Sequence, residues 1–278
     1  MPAARQGSQT PVRDRLSILL AIVLVSAALF HFVELPTFSW SVRRIFGSPL
    51  GFTITGDWIL PLLLMGLVAT GTRYLLHVHP YQETLERPRG LSIITPTLGS
   101  LLAGLLLVRT QTWPLWLGAL LFTGLLIGLL ENLTYRVFSP DAPSYASSRT
   151  LLNISDYLLG FALFSLILSG QGRALLTGPA VLLISGLLAI DLLSASGGNF
   201  HAELLFAGIS GLLCGQLAWL LGYWPVSFWM AATLLTLSLY MLVGLSYQYL
   251  LGRLTRRVLI EFGFVGIIVF VMLLWIKP

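Results

Sequence analysis

The chain has 278 residues, 56% of them hydrophobic and only 10% charged, with a mean hydropathy of +0.87 and a formal net charge of +5. A soluble globular domain carries roughly 25% charged residues, so this composition excludes an ordinary soluble domain and points to an integral membrane protein. Apolar runs recur along the whole chain, each long enough to cross a hydrocarbon core of about 30 Å as a helix. Stretches such as 115–130 lack the apolar-polar alternation of a membrane β-barrel strand.

In chain order the runs predict nine helices, over 16–35, 58–77, 91–108, 113–135, 151–168, 179–196, 201–221, 226–251 and 259–276. The fold expected is an all-α polytopic transmembrane bundle, with residues 1–15 as a short basic cytoplasmic tail and 16–278 as a single transmembrane domain. Turn-forming pairs mark the breaks: His79-Pro80, Ser139-Pro140, Gly178-Pro179 and Trp224-Pro225. Arg13 and Arg15 precede the first apolar run as in a signal peptide, but no A-x-A site follows promptly, so a retained signal anchor is expected.

Nine spans put the termini on opposite sides, and basic residues near helix ends are retained in the cytoplasm. With the N-terminus inside, the 16 basic residues divide 11 inside to 5 outside, which sets the N-terminus cytoplasmic and the C-terminus outside. The net charge is thus a topology signal and not a sign of nucleic-acid binding, and a cell membrane is the expected location. All eight tryptophans then fall at outer helix ends or outer loops, where indoles favour the headgroup layer.

Among the connections, the outer segment 36–57 carries Phe38, Trp40, Val42, Ile45 and Phe46 around Arg43 and Arg44, a composition suited to a short interfacial amphipathic helix. The inner loops 77–90 and 136–150 are too small for soluble domains, so any activity lies in or beside the membrane. Gly124 with Gly128 and Gly211 with Gly215 have the spacing that lets helix backbones approach closely. Such small-residue faces pack a tight bundle and could also receive a membrane-protein partner. Pro61 and Pro96 read as helix kinks.

The candidate functional residues are ionisable groups inside the spans, because burying a charge at mid-membrane costs at least about 2.5 to 3.5 kcal/mol. They are Glu131, Asp156, Asp191, His201, Glu203 and Glu261, with Arg73 as a counter-charge. Asp191 is expected to be deepest, roughly 8 Å inside its helix end, with Asp156 at a similar depth. A turn containing Gly197 and Gly198 links Asp191 to His201 and Glu203. These residues suggest a cytoplasm-facing pocket, lined by Asp156, Asp191, His201 and Glu203, for a proton, cation or polar headgroup.

Sharper chemistry finds little support. Gly208-Ile-Ser210-Gly211 resembles the nucleophile segment of rhomboid proteases, but such a serine needs a histidine base and no histidine follows His201. His77 and His79, two residues apart, point to different sides of a helix and read as a solvated helix end. No H-E-x-x-H, phosphate-cradling glycine loop or aspartate-rich transferase signature is present, and the lone Cys214 excludes an intrachain disulfide. The expectation is therefore no catalytic residue, no cofactor and no metal.

The segment Arg43-Arg44-Ile-Phe-Gly-Ser-Pro-Leu-Gly-Phe52, followed by Gly56-Asp57-Trp58 and an apolar run, resembles an uncharacterised family of bacterial multi-span membrane proteins over the first third of the chain. The function favoured is a carrier or binding protein for a small solute, ion or lipid. A structural or assembly subunit of an envelope complex is the alternative, and an enzyme acting on a lipid-linked substrate is the third.

Overall fold

The computed structural model describes residues 10–32, 38–45, 48–54, 56–77, 91–110, 112–139, 142–170 and 174–275. Among the described residues nine long helices account for the apolar runs: α1 (Thr10–His31), α2 (Ile59–His77), α3 (Ile94–Arg109), α4 (Trp113–Val137), α5 (Tyr145–Ser169), α6 (Ala174–Leu193), α7 (Phe200–Leu221), α8 (Phe228–Leu250) and α9 (Arg256–Trp275). Among the described residues, α1 to α8 are long and apolar enough to cross a membrane. The chain is an all-α transmembrane helical bundle, as its hydropathy predicts.

Helix ends depart from expectation where the first turns are polar. α1 starts at Thr10 and α5 at Tyr145, ahead of the predicted 16 and 151, because Ser147, Ser148 and Arg149 are helical without being apolar. The larger correction concerns segment 36–57. Within it β1 (Phe38–Ile45) pairs antiparallel with β2 (Ser48–Ile54), in a register that sets Phe38 opposite Ile54 and Val42 opposite Leu50. Ser39 and Ser41 alternate with Phe38, Trp40 and Val42, a period of two that belongs to a strand and not to a helix.

Helix packing groups the chain into two compact units, Met1–Arg149 and Thr150–Pro278. In the first, α1 to α4 enclose a core of Val23, Ala27, Leu60, Leu64, Val68, Leu107, Trp116 and Ile127. A Cβ on Gly104 of α3 would lie 2.6 Å from the Cα of Pro61 in α2, so these two helices meet backbone to backbone. Leu24 and Leu20 of α1 seat on Gly124 and Gly128 of α4, each leucine 3.2 Å from where a Cβ would stand. The predicted glycine pair thus receives leucine knobs from within the chain.

Pro61 and Pro96 are not kinks. Each is the third residue of its helix, where the N–H would have no intrahelical partner in any case. Pro179 instead lies inside α6, which begins ahead of it at Ala174.

The second unit is built around α6 and α7. A Cβ on Gly211 would come within 2.8 Å of the Leu182 carbonyl oxygen, and one on Gly215 within 3.1 Å of the Gly178 oxygen. α7 and α8 meet through Phe206 and Tyr249, with ring centroids 5.3 Å apart, and α8 and α9 through Tyr240 and Phe262 at 5.7 Å.

Candidate functional site

In the first unit the interior charge candidate is Glu131, on the buried face of α4, fully shielded from solvent. It precedes the helix end at Val137 by about 9 Å of rise. Its Oε1 lies 2.5 Å from the Oγ1 of Thr72 on α2, itself fully buried, and that hydroxyl also lies 2.7 Å from the carbonyl oxygen of Val68. Among the described residues the second carboxyl oxygen, Oε2, has no hydrogen-bond partner, nor has the neighbouring Thr134 hydroxyl. Arg73 is exposed and makes no ion pair among the described residues. One residue of helix is a rotation of about 100°, enough to aim Thr72 at Glu131 and Arg73 away from it.

In the second unit Asp156 and Asp191 are both buried, at 0% and 1% exposure, and each engages neighbouring groups. Gly160 of α5 packs on Leu188 of α6, its hypothetical Cβ 3.1 Å from Leu188 Cδ1. Consecutive helices with a short connection run antiparallel. One turn towards the start of α5 and almost one towards the end of α6 therefore bring Asp156 and Asp191 to the same level. α5 starts at Tyr145, ahead of the predicted 151, so Asp156 lies about 16 Å along its helix, whereas Asp191 is close to Leu193 and the 3-10 turn Ser194–Ser196.

Glu203 and His201 part company. Glu203 is 2% exposed and its Oε1 accepts a 2.7 Å hydrogen bond from Ser196 Oγ, which in turn accepts from Gly198 N at 3.1 Å. Gly197 takes the left-handed conformation at φ 73°, and Asn199 caps α7 by accepting from His201 N at 3.0 Å. The carboxylate is thus a clasp that folds the α6–α7 turn onto the first turn of α7. The imidazole of His201 is exposed on that turn. Cys214 is buried in the middle of α7, and Glu261 forms an exposed ion pair with Arg257 at 3.0 Å. Of the histidine pair, His77 ends α2 and is exposed, while His79 lies outside the described residues.

A family described as a protein of unknown function (DUF5656) matches residues 36–276. The chain belongs to that family. No curated protein and no solved structure matches it. The DUF5656 match runs from ahead of β1 to the end of α9, well beyond the first third in which the resemblance is visible by eye, and takes in every candidate residue named above. Among the described residues no three histidine, cysteine, aspartate or glutamate side chains group closely enough to hold a metal ion.

The clasp can be checked without a ligand. Ser196→Ala removes the hydroxyl that holds Glu203 and should cost about 1 kcal/mol. Gly197→Ala should cost about 1 to 2 kcal/mol, since a Cβ is strained at positive φ. Thermal melting in detergent reads both, and unchanged midpoints would show that the turn is not held in this way.

Proposed function

We propose that this protein is a membrane carrier or binding protein whose interior carboxyl groups take up a proton or a small cation. The observation that carries the reading is Glu131, a fully buried carboxyl inside a span with one oxygen held by Thr72 and the other without a hydrogen-bond partner among the described residues. A carboxyl in that setting is costly to keep unless exchange of a proton or cation is its purpose. Asp156 and Asp191, buried at one level of the second unit, support the same chemistry there. Glu203 fits better as the clasp of its turn, with exposed His201 beside it, while exposed Arg73 lies near the end of α2 in the first unit.

The orientation that goes with this reading puts the N-terminus and the carboxyl-rich ends in the cytoplasm of a bacterial inner membrane and the C-terminus outside, following the arginine asymmetry. In a Cys214→Ala background, Tyr223→Cys in the turn between α7 and α8 should react with an impermeant maleimide in intact cells. Ser147→Cys at the start of α5 should react only after permeabilisation. The opposite pattern would invert the topology and turn the carboxyl-rich ends outward.

Function itself is tested in proteoliposomes under an imposed potassium diffusion potential, with an internal pH dye and replacement of sodium or potassium outside. Protein-dependent proton or cation movement that is lost in Glu131→Gln supports the carrier. Absence of flux together with a stoichiometric membrane partner on purification overturns it in favour of an assembly subunit.

A further inference from the structure

At the opposite end of the first unit from Glu131, the ends of four helices leave a cavity of about 230 Å³. His31 closes α1, Asp57 stands just ahead of α2, Thr110 ends α3 and Trp116 lies in the first turn of α4, and all four line it. The aromatic side is organised: the His31 and Trp116 rings lie 4.2 Å apart at 31°, and Trp113 stacks behind Trp116 at 5.3 Å and 15°. Asp57 is exposed at the rim and makes no ion pair or hydrogen bond among the described residues. The Thr110 hydroxyl proton is committed to the Leu107 carbonyl at 2.9 Å, which leaves its oxygen lone pairs as acceptors.

The charge and shape of this cavity select the ligand. A carboxylate, a hydroxyl acceptor and the electron-rich indole of Trp116 all favour positive charge and oppose an anion. Among the described residues no lysine or arginine lines the cavity. A bare metal ion would want more oxygen or nitrogen ligands than Asp57 and His31 supply, whereas Phe30, Leu60 and Leu107 offer an apolar wall suited to methyl and methylene groups. The volume falls below the roughly 300 to 1,000 Å³ of ordinary drug-sized sites, so the ligand is small.

We propose that this pocket binds an organic ammonium group, with the Asp57 carboxylate as its counter-charge and the Trp116 and His31 rings as its wall. The site does not depend on the carboxyl chemistry of Glu131, and it stands or falls separately from the carrier reading. The ammonium can come from a free solute or from a phospholipid headgroup, since the pocket lies at a helix-end level where both are at hand.

The test uses the purified full-length protein in a non-ionic detergent, with choline as the probe and its neutral carbon isostere 3,3-dimethyl-1-butanol as the control. Isothermal titration should give saturable choline binding, at least tenfold weaker binding of the isostere, and at least a tenfold loss in Asp57→Asn. Because Asp57 is exposed, the unliganded melting midpoint of that variant should match the wild type, and Trp113→Leu gives a second variant that weakens the aromatic wall without emptying the core. Equal binding of choline and the isostere, undiminished binding to Asp57→Asn, or no saturable choline binding would overturn the proposal. Nanodiscs then separate the sources. Phosphatidylethanolamine that competes with choline in an Asp57-dependent way identifies a headgroup site, and choline binding indifferent to that lipid identifies a solute site.

Discussion

Gly211→Leu is expected to lower the stability of the protein by about 3 kcal/mol, the upper part of the usual overpacking range, and to reduce the folded fraction recovered in detergent. The first atom of any side chain there would stand 2.8 Å from the Leu182 carbonyl oxygen and 3.1 Å from the Gly186 Cα, both of them backbone atoms of α6 that cannot rotate aside. Association of helices within lipid relies on close van der Waals packing, because lipid tails are as apolar as the helix surface. Pushing α6 and α7 apart therefore removes the contact that holds them and offers little in return. Gly208, one turn earlier on the same helix, is the internal control: it is exposed, and a Cβ there would meet nothing within 4 Å. Gly208→Leu should melt near the wild type by fluorescence-monitored unfolding. If the two leucine variants melt alike, the α6–α7 contact is looser than described and helix propensity alone governs both positions.

The helices were legible because a membrane span announces itself by composition, and all nine runs became helices. What composition cannot reach is a polar first turn, so α1 and α5 begin ahead of their apolar runs. The hairpin is present in the Ser39 and Ser41 alternation, but the amphipathic content of the same segment also suits a helix. Glu131 was visible as a buried carboxyl, while its partner Thr72, 59 residues away, was not. Sequence offered Arg73 instead, because a charge is easier to notice than a hydroxyl. The aromatic pocket shows the same limit more strongly. The count of tryptophans at one end was readable, yet bringing His31, Asp57, Thr110 and Trp116 together requires the antiparallel packing of α1 to α4. Ser196 and Glu203 were close enough in sequence for a clasp to be read, and the two intervening glycines were the available signal.

Glu131 provides the sharpest test of the interior chemistry, because its hydrogen bonds can be counted. A threonine hydroxyl has one proton, yet Thr72 Oγ1 sits within hydrogen-bond distance of both the Val68 carbonyl oxygen and Glu131 Oε1, at 2.7 and 2.5 Å. The single proton is shared between the two acceptors or, where the carboxyl is protonated, the carboxyl donates to Thr72 while Thr72 donates to Val68. The proposed function calls for a carboxylic acid at this position, a group that releases its proton once water or a cation reaches it. Infrared difference spectra of the purified protein should contain a protonated-carboxyl stretch that shifts in deuterium oxide, disappears in Glu131→Gln and changes frequency in Thr72→Val. Glu131→Gln should remain folded, since the amide keeps the shape and can still donate to Thr72, and Thr72→Val should cost about 1 kcal/mol for one lost hydrogen bond. Glu131→Lys should not fold, because an unpaired buried charge costs about 3 to 5 kcal/mol and the neighbouring hydroxyls of Thr72 and Thr134 carry no charge to neutralise it. A spectrum without that band, or a lysine variant as stable as the wild type, would mean that water already reaches this carboxyl. The proton-exchange role would then fall, and with it the main support for a carrier.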